Sequence, residues 1–316
     1  DSPEHRALIR KLGADGMVLL KNDGILPLDK TALDRIAVLG PNAAEPRVMG
    51  GGSAQINAHY KVSPLEGIRG ALSGTNRVVH LRACRNNRLA EMIRGDISVD
   101  FFHGRDWSGP SVHRSSAEDS QFFWLDMPDA TLDGSNFSAR ITTRFRPEES
   151  GNHVFGLTNA GFAKLYVDGE LVVDGETGWA RGDNFFGLGN TEVRAQKLLE
   201  SGRTYEVRVD YRSMPEGFDG INIRALRFGV ELPTSDAAIA EAVEQARACD
   251  VAVLVVGREG EWDTEGLDLP DMRLPGRQEE LIERVAAVNP RTVVVLQTGG
   301  PIEMPWLDKV SAVIQA

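Results

Sequence analysis

Six carboxylates crowd one stretch of this chain. In "VLVVGREGEWDTEGLDLPDMRLPG", residues 253 to 276, an apolar run gives way to Glu259, Glu261, Asp263, Glu265, Asp268 and Asp271. A solvated acidic turn, a metal cradle and a catalytic acid all have this appearance. The helix-loop-helix calcium site requires D-x-[DN]-x-[DN]-G-x5-E, and "EWDTEGLDLPDM" is out of that register. Acid-base chemistry asks for less: one carboxyl on an ordered loop, aromatic surface that desolvates it and stacks on a substrate, and a second carboxylate nearby. Trp262 beside Glu261, with Glu265 and Gly266 behind it, meets that description. Taken alone, the stretch still reads better as a solvated turn.

Other candidates fail on spacing. "MGGGSAQINAHYK" lacks the lysine-serine pair and following helix of a phosphate loop, and the turn after "AVLG" is "PNAAEP", without the further glycines of a dinucleotide fold. The glycine run is expected to be a mobile or tightly folded loop at the mouth of a site. Cys84 and Cys249 form no CxxC pair and are expected as small buried hydrophobes, with a single disulfide open as an alternative. The histidines include no HExxH and no pair at helical spacing, so neither zinc nor an organic cofactor is indicated.

The elements that must position these residues fall into three blocks. Residues 3–22 read as a helix capped by Ser2, with Leu8, Leu12, Leu19 and Leu20 as apolar positions. "RIAVLGPNA" reads as a buried strand ending in a Gly-Pro turn. The last block repeats the alternation: a helix over 236–248 with Ile239, Val243 and Ala246 inward, the strand "VAVLVVG", a helix over 276–288, and the strand "RTVVVLQTGG". Near-continuous apolar strands joined by amphipathic helices predict a mostly parallel sheet covered on both faces, with ligands at the strands' carboxyl ends. Between them, "FSARITTRF", "GNHVFGLTN", "AKLYVDGELVVDG" and "RTYEVRVDYR" alternate with period 2, as antiparallel strands do. The predicted fold class is therefore α/β, a three-layer open-sheet sandwich over 1–93 and 233–316, interrupted by an all-β sandwich inserted at 94–232.

With 41% hydrophobic and 26% charged residues over 316 positions, the chain has the composition of a soluble globular protein. A net charge of -11 and no basic run argue against nucleic-acid and membrane-surface partners. No segment approaches the roughly 18 to 20 apolar residues that span a bilayer, and "DSPEHRALIRKLGADG" is not a signal peptide. Localisation and homo-oligomerisation stay open.

Several motifs, in order, carry a resemblance. "GADGMVLLKNDGILPL" resembles the opening of the second, α/β sandwich domain of glycoside hydrolase family 3. "GPNA", "GGGSAQINAHYKVSPLEGI", "EWDTEGLDLPDMRLPGRQEELI", "NPRTVVVLQTGGPIEMPWL" and "AVIQA" resemble successive later segments of that domain in the family's β-glucosidases. The middle block, with "FSARITTRFRPEESGNHVFGLTNAGFAKLYVDGELVVD", is similar to the protective-antigen-type, lectin-like sandwich inserted in one subgroup. The resemblance implies a retaining, exo-acting β-glycosidase whose Asp nucleophile lies on an N-terminal (β/α)8 barrel. It implies Glu265 of "TEGLD" as general acid/base, followed by Asp268; Leu269 departs from the family pattern, which has Arg there.

Glu265 would protonate the glycosidic oxygen and then deprotonate the incoming water, which requires a raised pKa that the crowd of carboxylates and Trp262 would supply. Trp262, Asp268, Phe185 and Phe186 are the expected substrate contacts, with a β-linked oligosaccharide or β-glucoside as ligand. Trp107, Trp124 and Trp179 are expected to pack rather than to bind sugar, Asp168 to turn a hairpin, and Trp306 to pack a helix on the sheet. No nucleophile is found, so the chain is expected to be a fragment that needs the barrel as partner. A carbohydrate-binding or assembly module without catalysis is the competing reading.

Overall fold

The structure, a computed structural model, describes residues 2–51, 58–72, 77–214 and 223–316. Its contacts divide the chain into two compact units, Asp1–Arg88 with Thr234–Ala316, and Leu89–Pro233.

The Ser2 hydroxyl accepts the His5 N–H at 3.2 Å and Pro3 occupies the first turn, so helix α1 (Pro3–Gly16) begins as its sequence predicts. It ends earlier than predicted, because residues 18–22 form strand β1 (Val18–Asn22). β1 pairs antiparallel with residues 312–315 at the far end of the chain, a partner that local periodicity cannot reveal and that overrides helix propensity. Leu8, Leu12, Leu19 and Leu20, read as an apolar stripe, are all about half exposed. Strand β2 (Ile36–Leu39) is wholly buried. Helix α2 (Pro64–Ala71) starts with a capping box between Ser63 and Glu66, and strand β3 (Val78–Leu81) pairs parallel with β2.

The chain then builds its second unit. Strands β4 (Arg94–His103), β5 (His113–Asp119), β6 (Gln121–Phe123), β7 (Phe137–Phe145), β8 (Gly151–Ala160), β9 (Phe162–Val167) and β10 (Glu170–Asp174) lead to a single turn, α3 (Asn184–Gly187). Strands β11 (Val193–Leu199), β12 (Tyr205–Arg212) and β13 (Ala225–Glu231) complete it. Two antiparallel sheets form, in the orders β10-β9-β12-β7-β4-β5 and β11-β8-β13-β6. Their inward residues share one core, with Phe101, Phe137, Ile141, Leu165 and Val209 from the first and Phe155, Leu157 and Phe228 from the second.

Trp124 belongs to this packing, its ring 5.5 Å from Phe122 and 5.0 Å from Tyr211. Trp107 and Trp179 donate their indole N–H groups to Ala139 and Asn159 carbonyls at 3.0 and 3.2 Å. Asp168 and Gly169 turn the β9–β10 hairpin with φ of 50° and 80°.

The Tyr211 ring is fully buried, and its hydroxyl donates to the Ala160 carbonyl at 2.7 Å. Tyr211→Phe removes this buried hydrogen bond and is expected to cost about 1 kcal/mol. Chemical denaturation checks this; an unchanged midpoint would show that the hydroxyl contributes nothing.

Back in the first unit, Ser235 caps helix α4 (Asp236–Arg247), which precedes strand β14 (Val251–Gly257), helix α5 (Gln278–Ala286), strand β15 (Thr292–Gln297) and strand β16 (Ala312–Gln315). The sheet runs β1-β16-β15-β14-β2-β3, parallel except at β1. Along β14, Ala252, Leu254 and Val256 join the core built with α4 and α5, while Val251, Val253 and Val255 join the one containing Leu65 of α2. Both faces are thus covered, which is why the strand reads as continuously apolar. The result is a three-layer α/β sheet sandwich interrupted by an antiparallel β-sandwich.

Trp306 is completely buried in the α4–α5 core. Cys84 and Cys249 are buried free thiols, and burial pushes the Cys84 thiol up to about 12. Among the described residues no helix is long and apolar enough to cross a membrane.

Candidate active site

The carboxyl ends of β2, β14 and β15 converge, and the acidic loop leaves from the middle one. Backbone and side-chain bonds stitch the three together. The Asn42 side chain donates to the Arg258 carbonyl at 3.3 Å, the Arg258 N–H donates to the Gln297 carbonyl at 2.9 Å, and the Gly299 N–H donates to the Asp263 carboxylate at 2.8 Å.

The loop is ordered from within as well. The Glu259 carbonyl accepts the Trp262 and Asp263 N–H groups at 3.0 and 3.1 Å, and the Asp263 carbonyl accepts the Gly51 N–H at 3.0 Å. Gly51 bridges Thr264, and a Cβ there would lie 2.2 Å from the Gly260 carbonyl oxygen, so only glycine fits. The described part of the glycine run therefore lies tightly against the acidic loop; residues 52–57 are outside the described residues. Segment Asn86–Arg88 forms a rail beneath the loop. Asn86 donates to the Gly257 carbonyl at 2.9 Å, its own carbonyl accepts the Trp262 indole N–H at 2.7 Å, and the Arg88 N–H donates to the Glu259 carboxyl at 3.0 Å.

This framework encloses a cleft of about 590 Å³ lined by Arg47, Arg258, Glu259, Trp262, Asp263 and Leu269 among others. Arg258 is 3% exposed; its Nη1 has no hydrogen-bond partner among the described residues and lies 3.7 Å from Asp263. Burial, then the Glu261 carboxylate and its hydrogen bond, push Glu259 up to about 8, against the opposing pull of Arg47 and the Arg88 N–H. The motif pattern singles out neither residue. The available signal is their position: charged side chains that directly continue an apolar, doubly covered strand must be buried and paired.

Glu265 follows Thr264 and precedes Gly266, which turns the chain at φ 79°; Glu265 and Asp268 are both exposed. The desolvated carboxyl of the loop is Glu259, not Glu265. Trp262 is half-buried and lines the cleft. Phe185 and Phe186 lie on the sandwich unit in α3, both left-handed at φ 52° and 59°, with Phe186 58% exposed and each ring within 6.4 Å of Phe123. Such backbone is costly for bulky residues and marks a locally over-determined turn. Among the described residues no group of three or more His, Cys, Asp or Glu side chains is arranged to hold a metal ion.

A β-glucosidase of Rhizobium radiobacter is 62% identical over 315 residues, covering 100% of this chain and 38% of its own length. A probable β-glucosidase J of Aspergillus fumigatus is 37% identical over 351 residues, covering 99% of this chain and 40% of its own. The crystal structure of a Kluyveromyces marxianus β-glucosidase in complex with glucose superposes with a TM-score of 0.87 at 33% identity, covering 100% of this chain and 40% of that one. The chain thus spans about two fifths of the length of these relatives. The model of the glycosyl hydrolase family 3 C-terminal domain matches residues 17–316, the β-sandwich included, and it is to this family that the chain belongs.

Proposed function

We propose that this chain supplies the general acid/base to a retaining exo-acting β-glucosidase, with Glu265 as the proton donor and an Asp nucleophile on a (β/α)8 barrel outside these residues. The observation that carries the reading is the placement of Glu265: an exposed carboxyl on a loop hydrogen-bonded along its length, at the carboxyl end of a parallel sheet. Relatives named as β-glucosidases, one of them solved with glucose, support a terminal β-D-glucosyl group as the substrate.

Glu265 protonates the leaving oxygen as the glycosyl-enzyme bond forms, then takes the proton of the water that hydrolyses it. This needs a nucleophilic carboxylate about 5–5.5 Å away. Trp262 and Asp268 flank Glu265 in sequence and are assigned to substrate contact. Phe185 and Phe186 are assigned as a stacking surface for a sugar ring on the sandwich unit, where an exposed aromatic face suits the apolar side of a pyranose. The inserted unit is read as a protective-antigen-type, carbohydrate-binding sandwich.

Alone, the 316-residue chain is expected not to turn over 4-nitrophenyl β-glucoside, while its co-expression in one polypeptide with the barrel restores hydrolysis. Turnover by the isolated chain that Glu265→Gln abolishes would overturn the assignment of the nucleophile to another segment. A chain that binds glycans equally well with Glu265→Gln, and gains no activity from the barrel, would be a binding module instead.

A further inference from the structure

The mechanism leaves one buried carboxyl of the loop without a task. Glu259 is 7% exposed, and its side chain contacts three separate stretches of sequence. It accepts the Arg88 N–H at 3.0 Å, meets the Asn87 amide and the Arg47 guanidinium at 3.4 Å each, and shares a hydrogen bond with Glu261. Its backbone carbonyl meanwhile starts the turn that carries Trp262 and Asp263 toward Thr264 and Glu265. We infer that Glu259 is the positioning residue of the acid/base loop: its carboxyl clamps the root of that loop to Arg47 and to the Asn86–Arg88 rail, and so fixes where Glu265 stands. The inference rests on the proposed role of Glu265, and the geometry of the clamp is independent of it.

A clamp built this way answers to pH. The charged groups facing Glu259 are Arg47 from the segment before the glycine run and Glu261 within the loop, with Arg258 and Asp263 lining the same cleft; the Asn86–Arg88 rail contributes a backbone N–H and an amide. Two carboxyls joined by a hydrogen bond need one proton between them. With Glu259 raised from its ordinary 4.5 to about 8, the folded state holds that proton where the unfolded chain has lost it. The stabilisation is therefore complete below about 4.5 and is lost as pH climbs through about 8, where two carboxylates face each other and Arg47 opposes their repulsion.

The test uses the enzyme joined to its barrel and compares wild type, Glu259→Gln and Glu259→Ala. Glu259→Ala removes the clamp and is expected to lower kcat on 4-nitrophenyl β-glucoside about tenfold or more with little change in KM, as misplacing a catalytic group does. It should also speed amide hydrogen exchange over 258–266 by a similar factor. Glu259→Gln keeps an acceptor for the Arg88 N–H and a permanent donor to Glu261. It should restore kcat to within about threefold of wild type and abolish the extra loop exchange that wild type gains between about pH 7 and 9.

Equal loop exchange in wild type and Glu259→Ala, or an unchanged alkaline rise in Glu259→Gln, overturns the clamp. If Glu259→Ala does not fold, the pH comparison with Glu259→Gln decides alone. Full activity in Glu265→Gln would instead overturn the acid/base assignment and leave the exchange result standing on its own.

Discussion

With the chain joined to a barrel as proposed, Glu265→Gln is expected to lower kcat/KM for a β-glucoside with a poor leaving group about 10²–10⁴-fold, the contribution of a positioned general acid. The size of the loss depends on the leaving group, and that dependence is what distinguishes the role. An alkyl glucoside needs its oxygen protonated as the bond breaks, whereas a dinitrophenolate departs unaided, so the first step should suffer far less with the activated substrate. The second step still lacks its base, so the glycosyl-enzyme should accumulate and appear as a burst. Added azide, which attacks without giving up a proton, should restore turnover and yield a β-glucosyl azide of retained configuration. A uniform loss across leaving groups with no azide rescue would show that Glu265 serves the fold or the binding of substrate. Asp271→Asn, at an exposed carboxylate of the same stretch with no assigned substrate role, is the matched control for a general effect of removing loop charge.

Different parts of this protein are legible in its sequence to different depths. "VAVLVVG" announces a doubly covered strand because every residue of β14 is buried and its apolar side chains face one of two cores. The β-sandwich strands announce themselves by alternation, as in β12, where Val207, Val209 and Tyr211 point inward between their neighbours. Val18–Asn22 does not, since what makes it a strand is hydrogen bonding to residues 312–315. The site divides in the same way. Glu265 is singled out by the contiguous stretch "TEGLD", through its resemblance to a family motif. Glu259 is not, because its burial depends on Arg47, Asn87 and Arg88, brought to it by the ends of β2 and β3. Nor does "DNFFGLGN" disclose that both phenylalanines adopt positive φ. Crowding and burial together raise the pKa of Glu259, a residue that the sequence pattern does not single out.

Gly257→Ala is expected to be the most damaging single substitution near the site, costing about 3 kcal/mol or more from combined backbone strain and overpacking. Gly257 ends β14 at φ 150°, and a Cβ on it would lie 1.9 Å from the Gln297 carbonyl oxygen of β15. That contact is backbone against backbone, in a parallel pair fixed by five further registered residue pairs, so no side-chain rotation relieves it. The same residue is held on its other side. Its N–H donates to the Gln278 side-chain carbonyl at 2.8 Å, and its carbonyl accepts from Gln278 at 2.8 Å and Asn86 at 2.9 Å. Because Gln278 is completely buried, a shift of Gly257 that eases the clash leaves several polar groups without partners.

Denaturant unfolding measures the cost, and a loss below about 1 kcal/mol would show that the two strand ends can part freely. Gly40, at the end of adjacent β2, repeats the arrangement with φ 108° and a Cβ position 2.3 Å from the Val255 carbonyl oxygen. Gly40→Ala should therefore destabilise for the same reason. It should disturb the loop less, since Gly257 directly precedes Arg258 and Glu259 and any relief of its strain is transmitted to the residues that hold Glu265 in place.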